Sequence, residues 1–279
     1  MNIIFFGTPD FAMPVLESLI KNGYNVSHFQ SKSLKDDRIF EEFKNLNPDL
    51  CVVAAYGKIL PSRYLEVPKY GFLNVHPSLL PKYRGPSPIQ TAILNGDIET
   101  GVTIMVVDEE VDHGPMLAQK TYNLQPTTYN LQISKELFEL GAELLIETLP
   151  KYISGEIKPE PQDHSQATFT KMFSREDGRI DWEQPAEKIY NQIRALNPEP
   201  GTWTTWRPRA DIAHVLSRRN RSQKKPIDKI INIKKADLID GKISVQTIQV
   251  EGRKEMSFKE FLNGYPDFLI SGTLRDKIS

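Results

Sequence analysis

Asn74 and His76 stand two residues apart in the run Phe72-Leu73-Asn74-Val75-His76, which opens onto the loop Pro77-Ser78-Leu79-Leu80-Pro81. On an extended strand such a pair projects from one face. Farther along, Val102-Thr103-Ile104-Met105-Val106-Val107 reads as a second buried strand. It runs into an acidic turn containing Asp108, Glu109, Glu110 and Asp112, followed by His113-Gly114. An amide, an imidazole and a carboxylate on neighbouring strand ends make a compact polar site, and the chemistry they suit is acyl transfer to a neutral amine. The tetrahedral intermediate of that reaction carries negative charge on the former carbonyl oxygen, to which an amide N–H and a protonated imidazole can donate. A carboxylate beside the imidazole orients it, stabilises its charged form and can take a proton directly or through water. No covalent nucleophile is required. Taken singly, each residue has a plainer reading, as a strand-end cap for Asn74 and His76 and as part of a solvated turn for Asp112. Their joint occurrence in one short segment favours a site.

The elements that must position these residues follow an α/β pattern. Ile3-Ile4-Phe5-Phe6 is a short apolar strand ending at Gly7, and Pro9-Asp10 opens a helix with Phe11, Val15, Leu16 and Leu19 at helical spacing. The turn between them, Gly7-Thr8, lacks the G-x-G-x-x-G pattern, so a dinucleotide site is not supported. A weak strand over 24–29 and a charged helix over 35–45 follow. Leu50 to Tyr56 is a continuous apolar run between Asn47-Pro48-Asp49 and Gly57, as expected of a parallel strand buried on both faces. Its exit loop, Tyr56-Gly57-Lys58-Ile59-Leu60-Pro61, lies where α/β sheets bind ligands. Lys82, Tyr83 and Arg84 form a small basic cluster, either a solvated rim or a holder of a substrate phosphate. Pro88 to Leu94 reads as a short helix. Thr127 and Thr128 offer an N-cap for a long helix over 129–149 with Ile133, Leu137, Leu140 and Leu144 as its core stripe.

Pro150, Gly155, Pro159 and Pro161 break that helix, which predicts a catalytic domain over 1–152. Residues 153–200 then form a linker with one helix, over 186–195, and 201–279 a second domain. In the last stretch, Thr202 to Trp206, Ile230 to Ile233 and Ile243 to Val250 are strand-like, which suggests a small β-barrel. The length suits one full domain and a smaller one. The formal charge of −1 hides an asymmetry, because residues 201–279 carry 16 Lys and Arg against 9 Asp and Glu. An acidic body with a basic tail points to a polyanionic partner. Between Arg207 and Lys225, the basic residues Arg207, Arg209, Arg218, Arg219, Arg221, Lys224 and Lys225 face only Asp211. Such a run is a solvated loop or, beside a barrel and two Trp, a nucleic-acid patch. With no long apolar run and no basic-then-apolar leader, neither a membrane span nor a signal peptide is expected, and a cytoplasmic location is. Cys51 reads as a small buried hydrophobe. The His residues are scattered, and no metal site is expected.

The stretches Asn74-Val75-His76-Pro77-Ser78-Leu79-Leu80-Pro81-Lys82-Tyr83-Arg84-Gly85, Pro88-Ile89-Gln90, Asn95-Gly96-Asp97 and Glu99-Thr100-Gly101-Val102-Thr103-Ile104-Met105 resemble the folate-dependent formyltransferases. Gly7-Thr8-Pro9-Asp10-Phe11-Ala12 and Glu176-Asp177-Gly178-Arg179-Ile180-Asp181-Trp182 fit the narrower methionyl-tRNA formyltransferase family. The likeness runs from Met1 to about Trp206, with one large gap, and weakens beyond. It implies a Rossmann-like catalytic domain and an OB-like C-terminal barrel. It also implies transfer of the formyl group of 10-formyltetrahydrofolate to initiator methionyl-tRNA by a monomer. Asn74 and His76 would then polarise the formyl oxygen, and Asp112 would hold His76 and help deprotonate the amine. Folate would lie between Tyr56, Gly57, Ile59 and Leu60 on one side and Ser78, Leu79, Leu80 and Pro81 on the other, with 106–112 closing over it. Gly7 and Thr8 would lie near the amine-bearing substrate, and Arg84, Arg207, Arg218, Arg219 and Arg221 would be tRNA contacts. The chain departs from the family between Val26 and Arg38, where relatives carry a longer segment with a basic loop that grips the acceptor end. That departure keeps two alternatives open: N-formylation of a nucleotide-linked amino sugar, and a tRNA-binding protein without turnover.

Overall fold

The computed structural model describes residues 1–31, 33–206, 229–265 and 268. Arg207, Arg218, Arg219 and Arg221 lie outside the described residues, as does the rest of the basic run to Lys225. The chain divides into two compact units, residues 1–92 with 97–172 and residues 93–96 with 173–279.

The first unit is built on a six-stranded sheet. Its strands are β1 (Asn2–Gly7), β2 (Asn25–His28), β3 (Leu50–Ala54), β4 (Phe72–His76), β5 (Glu99–Val106) and β6 (Met116–Asn123), in the order β2-β1-β3-β4-β5-β6. β2, β1, β3 and β4 are mutually parallel, and β5 and β6 are added antiparallel. β6 is an element that apolar periodicity did not predict. Alternation within the strands decides which helices cover which face. Ile4, Phe6, Cys51 and Phe72 share a core with Phe43 of helix α2 (Asp37–Asn45) and Tyr64 of the short helix α3 (Ser62–Leu65). The Phe6 and Phe43 ring centres lie 5.9 Å apart and those of Phe43 and Tyr64 4.9 Å, within the range of favourable aromatic pairs.

Helix α1 (Met13–Lys21), which follows a 3-10 turn at Asp10–Ala12, packs with the long helix α5 (Asn130–Ile153), and α5 also lies along β4, β5 and β6. Its buried stripe includes Ile133, Leu137, Phe138, Leu144 and Leu145. Gly141 permits the close approach, because a Cβ there would sit 2.5 Å from Val75 Cγ1. Two details of the helix differ from expectation. Its N-cap is Tyr129, with extended backbone and no side-chain capping bond, and it continues through Pro150 to Ile153. Helix α4 (Pro88–Asn95) follows the loop that leaves β4.

The stretch after α5, expected to be a linker, runs back along the first unit as far as Met172. Met116 and Glu160 exchange two backbone hydrogen bonds of 2.8 Å. The Arg84 N–H donates to Thr168 O at 2.9 Å, and the Thr170 N–H donates to Arg84 O at 2.8 Å. Proline-rich composition breaks helices but leaves carbonyls and neighbouring N–H groups free to pair with an edge.

In the second unit, helix α6 (Ala186–Leu196) buries Ile189, Tyr190 and Ile193. It packs on an antiparallel sheet of β7 (Thr202–Trp206), β8 (Lys229–Ile239), β9 (Lys242–Val250) and β10 (Glu255–Ser257), ordered β10-β9-β8-β7. Helix α7 (Phe258–Gly264) begins with a capping box in which Ser257 and Glu260 satisfy each other's backbone N–H. Trp206 packs edge-on against Phe261, Tyr265 and Phe268. Among the described residues no helix is long and apolar enough to cross a membrane.

Candidate active site

Asn74 and His76 leave β4 from the same face, as their spacing requires, and both reach one atom. Asn74 Nδ2 donates to Asp112 Oδ1 at 3.1 Å, and His76 Nδ1 lies 3.5 Å from the same oxygen. Asp112 is brought there by the connection between β5 and β6. That connection is closed at its base by the Val106 N–H, which donates to Pro115 O at 2.8 Å, and by the Val107 N–H, which donates to Phe72 O at 2.8 Å. The His76 side chain is buried, and that of Asp112 is 14% exposed. The other carboxylate oxygen, Oδ2, accepts the Gly85 N–H at 2.8 Å.

The opposite edge of the imidazole fixes its tautomer. Nε2 is 3.0 Å from the carbonyl oxygen of Tyr83, which can only accept, so Nε2 carries a hydrogen. Nδ1 is therefore the nitrogen that gains or loses a proton, and it faces Asp112. Asn74 has two amide hydrogens, and the bond to Asp112 uses one. The site thus holds one free amide donor and a carboxylate–imidazole pair that can take up a proton, the groups needed to move charge during acyl transfer.

The loop after β4 is a rigid frame. Ser78 Oγ donates to Lys82 O at 2.6 Å, Thr103 Oγ1 donates to Ser78 O at 2.7 Å, and the Leu80 N–H donates to Thr103 Oγ1 at 3.2 Å. The basic cluster expected as a phosphate holder is engaged internally. Lys82 Nζ and Tyr83 OH both donate to Asp97 Oδ2, at 2.7 and 2.8 Å. Arg84 is a correction. Its guanidinium is buried and donates to Gln162 Oε1 through Nε at 3.0 Å and Nη2 at 2.7 Å, with Nη2 also 2.8 Å from His164 Nδ1. A guanidinium held inside the unit by its fork is a strut and does not face an incoming phosphate.

Comparisons with known proteins bear on the family and the fold. A family model described as formyl transferase matches residues 16–149, and one described as formyl transferase, C-terminal domain, matches residues 172–266. Methionyl-tRNA formyltransferase from Roseiflexus castenholzii is 43% identical over 263 residues, which cover 92% of this chain and 83% of that protein. The chain belongs to the methionyl-tRNA formyltransferase family. The C-terminal match corrects one expectation, since family likeness continues well past Trp206. Among solved structures, methionyl-tRNA formyltransferase from Clostridium thermocellum superposes with a TM-score of 0.66 at 22% identity, covering 90% of this chain and 98% of that one. HypX from Aquifex aeolicus in complex with tetrahydrofolic acid gives a TM-score of 0.69 at 18% identity, covering 97% of this chain and 47% of that chain.

Formyltransferases of this kind use folate, and the loop after β3 has features that fit such a ligand. Tyr56 is buried among Phe6, Phe43 and Phe72, yet its hydroxyl has no hydrogen-bond partner. A buried hydroxyl left without a partner is costly, and a heteroaromatic ring seated beside it would offer acceptors. Burial also raises the Tyr56 pKa, with a smaller effect from Tyr64, so the hydroxyl keeps its proton. Gly57 has φ +70°, while Ile59 is 79% exposed, an apolar side chain presented to solvent. Leu60 packs partly against the core, Ser78 and Leu80 are buried, and Leu79 and Pro81 are half-buried. Gly7 ends β1 and its carbonyl accepts from His28 Nε2 at 2.7 Å, whereas Thr8 is exposed. Sequence reasoning missed Tyr83 O, Gly85 and Gln162, each of which holds a member of the trio. A backbone carbonyl, a glycine N–H and a lone amide carry no periodic or motif signal of their own.

Proposed function

We propose that this formyltransferase transfers the formyl group of 10-formyltetrahydrofolate to the amino group of initiator methionyl-tRNA, as a cytoplasmic monomer. The observation that carries the reading is the convergence of Asn74 and His76 on a single oxygen of Asp112, in a chain whose relatives are methionyl-tRNA formyltransferases. As the amine adds to the formyl carbon, the free amide hydrogen of Asn74 donates to the oxygen on which charge develops. Asp112 and His76 Nδ1 receive the amine's proton. A proton on Nδ1 pairs with Asp112 Oδ1 and is then available to the departing nitrogen of the folate. Tyr83 O keeps the ring from turning away. The loops at 56–61 and 78–81 hold the folate, with Tyr56, Gly57, Ile59, Leu60, Ser78, Leu79, Leu80 and Pro81 contributing, and Gly7 and Thr8 lie towards the aminoacyl end. The basic run from Arg207 to Lys225, with Arg218, Arg219 and Arg221, follows the tRNA backbone.

A second reading has its own observation. The connection between β2 and α2 is short, and its described residues are tied to α3 and to the loop after β3. Arg63 donates to Asp37 Oδ1 at 2.6 Å and to the carbonyls of Leu34 and Lys35, and Lys58 donates to Ser31 O. An enzyme without a long basic loop there could serve a smaller amine, such as a nucleotide-linked amino sugar. Purified protein supplied with 10-formyltetrahydrofolate and offered methionyl-tRNA, then amino sugar nucleotides, decides between them. Formylation of methionyl-tRNA is expected. Turnover confined to the sugar would replace the proposal, and turnover of neither would leave a binding protein.

A further inference from the structure

Asp112 has the left-handed backbone conformation at φ +49°, which is uncommon for a residue with a side chain, though less so for Asp than for most, and contacts from its surroundings hold it there. One side chain does the holding. Gln162 Nε2 donates to Asp112 O at 2.9 Å and to Gly114 O at 2.8 Å, so both amide hydrogens clamp the turn that carries the carboxylate. Its Oε1 accepts from Arg84 Nε and Nη2. Carbonyls only accept and a guanidinium only donates, so the orientation of this amide is not in question. Arg84 and Gln162 are 3% and 4% exposed. A buried guanidinium whose acceptors are an amide oxygen and an imidazole nitrogen is a costly way to build a scaffold. What it secures is the amide that secures Asp112. The next residue, Gly85, gives its N–H to Asp112 Oδ2, so residues 84 and 85 fix the main chain and the carboxylate of Asp112 together.

We propose that Gln162, locked by Arg84, is a positioning residue for the formyl transfer: it sets the turn at 112–114 so that Asp112 Oδ1 stays between Asn74 and His76. The proposal rests on the reading that Asp112 takes part in proton transfer. It gives the segment after α5, which composition marks as a connector, a part in the chemistry.

The change Gln162→Glu tests this. It keeps size and shape and retains the acceptor for Arg84, but removes both hydrogens that hold the carbonyls of Asp112 and Gly114. The expected result is a fall in kcat of roughly 10- to 100-fold, with KM for methionyl-tRNA and for the folate donor within about twofold of wild type. In an Asp112→Asn background, single-turnover rates should fall by less than about twofold on adding Gln162→Glu, because the two changes act on one group. A general structural role would lower the rate by its full factor in both backgrounds. Gln162→Met, similar in length and without hydrogen-bonding hydrogens, repeats the cycle should the Glu variant fold poorly. Wild-type kcat in both Gln162 variants, or an undiminished factor in the Asp112→Asn background, overturns the proposal. Wild-type kcat in Asp112→Asn alone overturns instead the catalytic reading on which it rests, and the same set of proteins separates the two.

Discussion

Replacing Asp112 by Asn keeps the shape of the site and changes what its atoms can do. The carboxylate accepts on both oxygens, from Asn74 at 3.1 Å and from the Gly85 N–H at 2.8 Å. An amide has one acceptor and one donor group, so one of these contacts must set two donors against each other. With its oxygen towards Gly85, the new amide donates into bare Nδ1 of His76, locks that ring neutral and displaces Asn74. With the amide reversed, Gly85 loses its partner. Either way, one hydrogen bond to a charged group disappears, at a cost to stability of about 1.5–3 kcal/mol. The larger effect is on the reaction, since neither arrangement leaves a carboxylate to receive the amine's proton. Loss of a positioned general base costs typically about 10²–10⁴ in rate, or about 3–5 kcal/mol of barrier. Single-turnover formylation of methionyl-tRNA with saturating 10-formyltetrahydrofolate should therefore slow by roughly 10³, with both substrates still binding near their wild-type affinities. His76→Ala should cost a similar factor, and the double variant little more than either single change. A folded Asp112→Asn protein that keeps more than about a tenth of the wild-type rate would refute the proton-transfer role, because electrostatic neutralisation at a working base cannot be that mild.

Gly85 has φ +109°, and a Cβ there would meet Thr170 Oγ1 at 2.8 Å and Thr170 O at 2.9 Å, so Gly85→Ala should destabilise by about 2–4 kcal/mol and lower kcat as its N–H swings off Asp112. Thermal unfolding followed by circular dichroism checks this, and an unchanged Tm would show that the loop relaxes freely. Burial pushes the Cys51 thiol pKa up, and the residue is fully buried, so a thiol reagent at about pH 8 should leave the native protein unmodified and react once guanidinium unfolds it. Rapid labelling of the native state would contradict the packing described for β3. The short connection between β2 and α2 predicts a smaller ratio of kcat/KM between initiator and elongator methionyl-tRNA than relatives with a longer segment show, and an equal or larger ratio would mean that another element reads the acceptor stem. Replacing Arg218, Arg219 and Arg221 by neutral residues should flatten the log–log dependence of tRNA affinity on salt by about 2, without affecting the folate donor, whereas identical slopes would reduce the run to a solvated loop.

Local sequence was enough to specify the parallel core and the pairing of Asn74 with His76. Continuous apolar runs such as Leu50 to Ala54 specify strands buried on both faces, and two polar residues two apart in a strand share a face by the geometry of the pleat. Both are consequences of backbone periodicity, and the acidic composition after Val107 marks Asp112 as part of a turn. What those residues do to one another came from long-range packing. Whether Asp112 reaches His76 depends on the antiparallel return of β5 and on the grip of Gln162, which comes 50 positions later along the chain. Arg84 reads as a surface cation because a basic trio usually is one, and only the fold shows it turned inward on Gln162 and His164. β6 is half-buried and carries Gln119, Lys120 and Thr121 in its middle, so its place came from pairing with β5 and not from an apolar pattern. The helix through Pro150 persists for a related reason: packing along β4, β5 and β6 outweighs one missing N–H near its end, a balance that local propensity cannot weigh.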